Sequence, residues 1–222
     1  MKNQINSSSE KRDVTRFFEG YAEDFYSIYQ QKERPLFSKL NKWIRAGMFL
    51  RFEQTYQSCQ EIGAKNLLDV GCGPGYHDAI LAKSLKMEIM GIDVAENMIK
   101  LAKKTAKQTN VEQQCDFERV DFMTFQSEKS FDVVLSLGVV EYIMEPAPFV
   151  SKMMEHAEKL VIFSLPVKWH WLTPQRMIRY KLRRCPLRFY SYLELSTFLQ
   201  QIGVTQYKID RLQRDYLVTI SV

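Results

Sequence analysis

The stretch that decides the fold is "LLDVGCGPGYHDAI", residues 67–80. A short apolar run ends in Asp69. Gly71, Gly73 and Gly75 then follow within five positions, and a helical pattern begins at once. A chain gives up side chains at such spacing where the backbone needs left-handed torsions or where something must approach it closely. A strand that turns through glycines into a helix also presents unpaired N–H groups at the positive helix end, which suits an anionic ligand.

Outward from that loop the rhythm is regular. "NLLDVG" (66–71) reads as a buried strand and "GYHDAILAKSLK" (75–86) as a helix. "MEIMGID" (87–93) is a strand, and "AENMIKLAKKTAKQ" (95–108) is an amphipathic helix with Glu96 near its N-terminus. "CDFERVD" (115–121) and "SFDVVLSLG" (130–138) are strands, "PAPFVSKMMEHAE" (146–158) is a helix, and "KLVIFSLP" (159–166) is a fifth strand. Strands and helices alternating at this length imply right-handed crossovers and a parallel sheet covered on both faces. "SYLELSTFLQQIG" (191–203) is a helix closed by Gly203. "VTQYKID" (204–210) and "DYLVTISV" (215–222), joined only by "RLQR", must pair as a hairpin, so the parallel sheet is expected to end in an antiparallel edge.

The chain has 222 residues and reads as one α/β domain, 1–222. Residues 1–10 form a polar tail without the apolar centre of a signal peptide. Residues 11–62 form a helical arm or lid in two helices, the second opened by Pro35. No apolar run reaches the ~18–20 residues of a transmembrane helix. Hydrophobic residues make up 45% of the chain, enough for a sizeable core. Cys59, Cys72, Cys115 and Cys185 show neither C-x-x-C pairing nor a histidine cluster, which argues against a zinc site and a disulfide framework and fits a reducing, cytoplasmic setting. No metal-ligand set is expected.

The glycine spacing is G-x-G-x-G. A dinucleotide fingerprint is G-x-G-x-x-G with an acid about 20 residues on for the ribose. The acid is present as Asp93, at the end of the second strand, where its carboxylate can accept from a vicinal diol. Tyr76 stands where the third glycine belongs, which weakens the alternative of an NAD(P)-dependent oxidoreductase. Asp121 and Phe122 end the third strand, an acid and an aromatic suited to an adenine.

"LLDVGCGPGYH", "GIDVAENMIKLAKK", "VDF" and "FDVVLSLGVVEYI" resemble, in order and spacing, the successive motifs of class I S-adenosylmethionine-dependent methyltransferases over roughly residues 66–165. The resemblance implies a Rossmann-like sheet of seven strands, mostly parallel with an antiparallel C-terminal strand, and S-adenosylmethionine as cofactor. It implies that Asp69, Gly71, Cys72, Gly73 and Gly75 surround the methionine moiety, Cys72 reading as a small filler and not a reactive thiol. It implies Asp93, with Val94 and Met98, on the ribose side, Asp121 and Phe122 around the adenine, and Ser136 and Leu137 at the sulfonium end. The arm is more loosely similar to quinone and magnesium-porphyrin methylating enzymes, which implies that Tyr21 and Arg51 close over the cofactor or meet its carboxylate.

Methyl transfer from a sulfonium needs placement more than acid–base chemistry. If a base is used, His77 and His170 are the candidates, with Tyr142 lining the acceptor pocket. Residues 166–190 are set apart by seven cations (Lys168, Arg176, Arg179, Lys181, Arg183, Arg184 and Arg188) and no acid, interleaved with Trp169 and Trp171. They read as an acceptor-binding insertion between strand and helix. A solvated basic helix, an anionic small-molecule acceptor, peripheral contact of 168–188 with an anionic membrane, and RNA all remain open for it, RNA last because the chain has no nucleic-acid module and a net charge of only +5. The expected activity is methyl transfer to a small-molecule or lipid-borne acceptor.

Overall fold

The computed structural model describes residues 38–170, 173, 177 and 187–222, with side chains from Gly47 onward. The proposed tail, the first arm helix, Pro35, Tyr21 and most of the basic insertion lie outside the described residues. Helix α1 (Ser38–Glu61) leads into β1 (Asn66–Val70), α2 (Tyr76–Leu85), β2 (Glu88–Asp93), α3 (Glu96–Thr109), β3 (Cys115–Arg119) and β4 (Phe131–Ser136). A single 3-10 turn (Val140–Tyr142) precedes α4 (Pro146–His156), β5 (Ala157–Pro166), α5 (Tyr192–Gln201), β6 (Tyr207–Leu212) and β7 (Asp215–Ser221).

The seven strands form one sheet in the order β3-β2-β1-β4-β5-β7-β6. β1 to β5 pair in parallel, and β7 runs antiparallel to both neighbours. This is the seven-stranded, mostly parallel sheet expected, ending in an antiparallel hairpin. β7 inserts between β5 and β6, and β6 closes the sheet. A hairpin fixes which strands pair but not which of them docks on the sheet; burial decides that. β7 is buried at nearly every position, whereas only Leu212 of β6 is fully buried, so β6 takes the exposed edge.

Alternation along the strands splits the core between the two faces. Leu68, Val70, Val134, Val161 and Phe163 join α4 and α5 on one side. Leu67, Val133, Leu135 and Ile162 join α1, α2 and α3 on the other. Asp69 follows Leu67 in register, so it points under α2. Helix ends follow local chemistry. Ser191 and Glu194 form a capping box at the start of α5, and Gly203 (φ 81°) ends that helix in the left-handed conformation. Cys59, Cys72 and Cys115 are free thiols. No helix among the described residues is long and apolar enough to cross a membrane.

Candidate functional site

The three loop glycines answer to three different constraints. The N–H groups of Gly71 and Cys72 both donate to the Ile92 carbonyl (2.8 and 3.0 Å), which ties the end of β1 to the end of β2. Gly71 has φ 83°, and a Cβ there would collide with the Val139 side chain beyond β4. Gly73 has φ 54° and donates its N–H to Asp93 Oδ2 (3.1 Å). Gly75, the residue preceding α2, has φ 66°, and a Cβ on it would lie 3.0 Å from both Ala102 of α3 and Phe117 of β3. Gly75 therefore supplies the close packing that Tyr76, half-buried at the first position of α2, cannot.

Asp93 closes the loop from the other side. Its Oδ1 accepts from Ala95 N–H (2.8 Å) and its Oδ2 from Gly73 N–H. These two donors use two of a carboxylate's about four acceptor positions. Val94 beside it is half-buried and its carbonyl accepts from Arg119 Nε (3.2 Å). Met98 is buried against Ala95. Gly91, not singled out from the sequence, is a third position, after Gly71 and Gly75, where a side chain cannot fit: a Cβ would lie 2.6 Å from Phe117 and 3.1 Å from Cys72. Cys72 is buried, and burial, with Asp78, Asp93 and Asp69 nearby, holds its thiol protonated.

Two acids meet beneath the loop. Asp69 of β1 is 5% exposed and Asp78 of α2 is 0% exposed. Burial pushes both upward, Asp78 to about 7 and Asp69 well above the carboxylate range, where Asp78 and then Asp93 add repulsion. Sequence reading passed over Asp78. The signal was available: it shares a helix face with the buried Leu81 and Ala82, a place for an apolar residue.

The far side of the site is built on β4 and β5. Ser136 is fully buried and its hydroxyl donates to the Val70 carbonyl (3.0 Å). Leu137 packs partly buried on the α2 side of the core. Gly138 N–H donates to Ser164 Oγ (2.9 Å), and Arg51 Nη1 donates to the same oxygen (3.0 Å). Arg51 also pairs with the buried Asp215 (3.5 Å). Its described partners are thus in the protein's own frame. His77 lies against α1, its ring stacked on Phe52 at 4.4 Å between centroids. Burial, and then the Arg51 charge, push it down to about 3.

Asp121 caps its own turn, Oδ1 accepting from Met123 N–H (2.9 Å). The Phe122 ring is buried edge-on to Phe149 (4.9 Å), with Lys152 Nζ 5.4 Å from its centre. Tyr142 is half-buried in the 3-10 turn after β4. His170 is half-buried after β5, lowered by burial and then by Arg214 and Arg211, against Asp215. Of the basic segment, Lys168 pairs with Glu194 (2.7 Å) and Arg188 stacks on Tyr190 (5.0 Å) while donating to the Met144 carbonyl (3.2 Å). Met144, Pro146, Arg188, Tyr190, Leu193 and Phe198 line an open, mostly apolar cleft of about 690 Å³. No metal-binding cluster occurs among the described residues.

Asp93, the loop after β1, the turn after β4 and His170 after β5 all lie beyond the carboxyl ends of parallel strands, where open α/β sheets bind ligands. The buried acids and the glycine cradle fit a ligand with a cationic group and a diol. A similar frame occurs in the crystal structure of magnesium protoporphyrin IX methyltransferase from Synechocystis with bound SAH: TM-score 0.76, 19% identity, 95% of this chain and 99% of that one. In sequence, the chain is 25% identical to ubiquinone biosynthesis O-methyltransferase of Bradyrhizobium diazoefficiens over 57% of its own length and 50% of the relative's. It is 28% identical to norajmaline N-methyltransferase of Rauvolfia serpentina over 49% of its length and 37% of the relative's. It thus spans half or less of these curated relatives. The family model described as "Methyltransferase domain" matches residues 63–176, half of the chain, and the chain belongs to that family.

Proposed function

We propose that the chain transfers a methyl group from S-adenosylmethionine to a small-molecule acceptor. The observation that carries this reading is the Asp93 carboxylate at the end of β2, which accepts from the Gly73 and Ala95 backbones and so supports a diol-accepting role beside the glycine loop. The cofactor, when bound, supplies a methyl group already activated by a sulfonium. The chain's own work is then placement. Gly71 and Gly73 let the backbone come close, the first turn of α2 offers N–H groups, Asp69 faces the amino-acid end, and Asp93 accepts from the ribose. Asp121 and Phe122 are assigned to the adenine side through the Asp121 turn. Ser136 and Leu137 flank the reacting end, with Ser136 fixing the separation of β1 and β4.

The acceptor reading rests on residues 166–190. Seven cations without an acid support an acceptor carrying carboxylate or phosphate, and Trp169, 75% exposed, supports an apolar body or an anionic lipid surface bearing it. His170 is retained as the base where the acceptor needs one, with Tyr142 orienting it. His77 is not, because its ring stacks on Phe52 and burial makes it a far weaker proton acceptor than an ordinary imidazole. Thermal-shift titration with S-adenosylmethionine, S-adenosylhomocysteine and NAD tests the cofactor. Stabilisation by the first two and none by NAD is expected; the reverse pattern overturns the reading. Transfer of labelled methyl into cell-extract fractions then identifies the acceptor, and retention of the label by an anionic species is the expected result.

A further inference from the structure

Asp78 is fully buried, and no N–H or hydroxyl donor reaches either of its oxygens. A buried carboxylate in that state costs several kcal/mol, roughly the penalty for an uncompensated buried ion. What Asp78 meets is the carboxyl of Asp69, reaching from β1 into the same space. Two carboxyls hydrogen-bond only if one of them keeps a proton.

The groups around the pair are acidic or neutral. Asp93, at the end of β2, adds negative charge. Cys72 in the loop and Cys115 on β3 are thiols raised by burial, Cys115 to about 12, and so protonated. On α2 itself His77 is neutral. Arg51 of α1, whose charge acts on the neighbouring His77, is spent on Ser164 and Asp215. The pair thus lies in negative surroundings, under a loop that the reading above assigns to the end of the cofactor carrying a free ammonium.

Resting on that reading, we propose that Asp78 is a positioning residue: it shares one proton with Asp69 in a two-carboxyl pair, holds Asp69 toward the cofactor's ammonium, and the pair gives that proton up when the cation arrives. The step balances simply. The one carboxyl O–H bond of the pair breaks, its proton passes to buffer, and the ammonium replaces it as the positive partner. Cofactor binding is then linked to proton release. Affinity should strengthen with pH up to the range where the free pair loses its proton unaided, by at most about tenfold per pH unit for one proton.

The test is isothermal titration of the full chain with S-adenosylhomocysteine, which keeps the ammonium, from pH 5.5 to 8. Each pH is run in two buffers of different ionisation enthalpy, so that released protons are counted. The wild type should release most of a proton near pH 6–6.5 and bind about fivefold more tightly at pH 7 than at pH 6. Asp78→Asn donates to Asp69 and leaves a single carboxyl with no second acid to share a proton with, so its affinity should be flat with pH and its binding heat independent of buffer. Asp69→Asn, which should weaken binding at every pH, is the second variant. Wild-type binding without proton release, or an Asp78→Asn curve that still follows pH, overturns the inference and leaves the cofactor assignment standing. No binding heat at any pH overturns both.

Discussion

Asp93 and Gly73, twenty positions apart in the chain, are joined by a hydrogen bond of 3.1 Å from the Gly73 N–H to Asp93 Oδ2. The other carboxylate oxygen takes the Ala95 N–H at 2.8 Å, so one side chain sets both the glycine loop and the entrance to α3. The acid expected to clasp a ribose is also the peg that shapes the cradle.

Asp93→Ala should therefore do two things at once. Losing charge-assisted bonds to two backbone donors costs about 1–3 kcal/mol of stability. Losing the diol acceptor should weaken S-adenosylhomocysteine binding by at least about tenfold. Asp93→Asn keeps one acceptor and should fall between the two in both respects. Urea denaturation and calorimetry read the effects separately. An Asp93→Ala protein that binds as tightly as wild type would remove Asp93 from the site.

Gly75 gives a sharper test of packing. Gly75→Ala combines a left-handed backbone with a Cβ 3.0 Å from Ala102 and Phe117. The backbone term is about 1–2 kcal/mol and overpacking adds about 1–3 kcal/mol. For a chain of this size, each kcal/mol lowers Tm by about 2–4 °C, so a fall of roughly 4–20 °C is expected. Gly203→Ala is the control. It has φ 81° but open space around it, so only the backbone term applies. Equal losses at the two glycines would show that helix packing does not explain Gly75.

These cases also mark what could be read from the chain. The β1 apolar run, the glycines and Asp93 were legible because each element is local and repeats a known spacing. Asp78 was legible only as an acid on a buried helix face, because its meaning depends on Asp69 facing it across the strand–helix gap. Gly91 sits in an ordinary-looking strand, and Phe117, brought in by β3, together with Cys72 of the loop makes it obligatory. Ser164 gains its role from Gly138 and Arg51, which approach from other elements. The β6–β7 hairpin was readable as a pair, but its order on the sheet depended on which strand buries more apolar surface against β5.

His77 carries a pH signature with a definite sign. In the unfolded chain it titrates near 6.5; in the fold it is pushed down to about 3 by burial and Arg51. The unfolded state therefore binds the extra proton between these values, and stability contributed by the neutral ring is full above pH 6.5 and lost as pH falls toward 3. His77→Phe keeps the stack on Phe52 without a proton to exclude. Relative to wild type it should lose about 1–2 kcal/mol less between pH 7 and pH 5 in urea titrations. Its turnover at pH 7.5 should stay within about threefold of wild type, whereas general-base loss costs about 10²-fold or more. A drop of that size would return His77 to the catalytic set.

Arg51 anchors α1 to the sheet. Its guanidinium reaches Ser164 of β5 and Asp215 of β7, with side-chain exposures of 11% for Arg51 and 6% for Asp215. Arg51→Ala leaves a buried carboxylate without that cation, at a cost of about 3–5 kcal/mol. Adding Asp215→Asn removes the stranded charge, so the double variant should be more stable than Arg51→Ala alone, and the cycle should give a coupling of about 1 kcal/mol or more. Ser164 also receives the Gly138 N–H of the turn after β4. Loss of Arg51 should therefore reach the cofactor end of the site as a modest rise in Kd, without the collapse expected if Arg51 bound the cofactor carboxylate directly. Calorimetry on Arg51→Ala distinguishes the two: a threefold change assigns it to the frame, and a loss of about 10²-fold assigns it to the ligand.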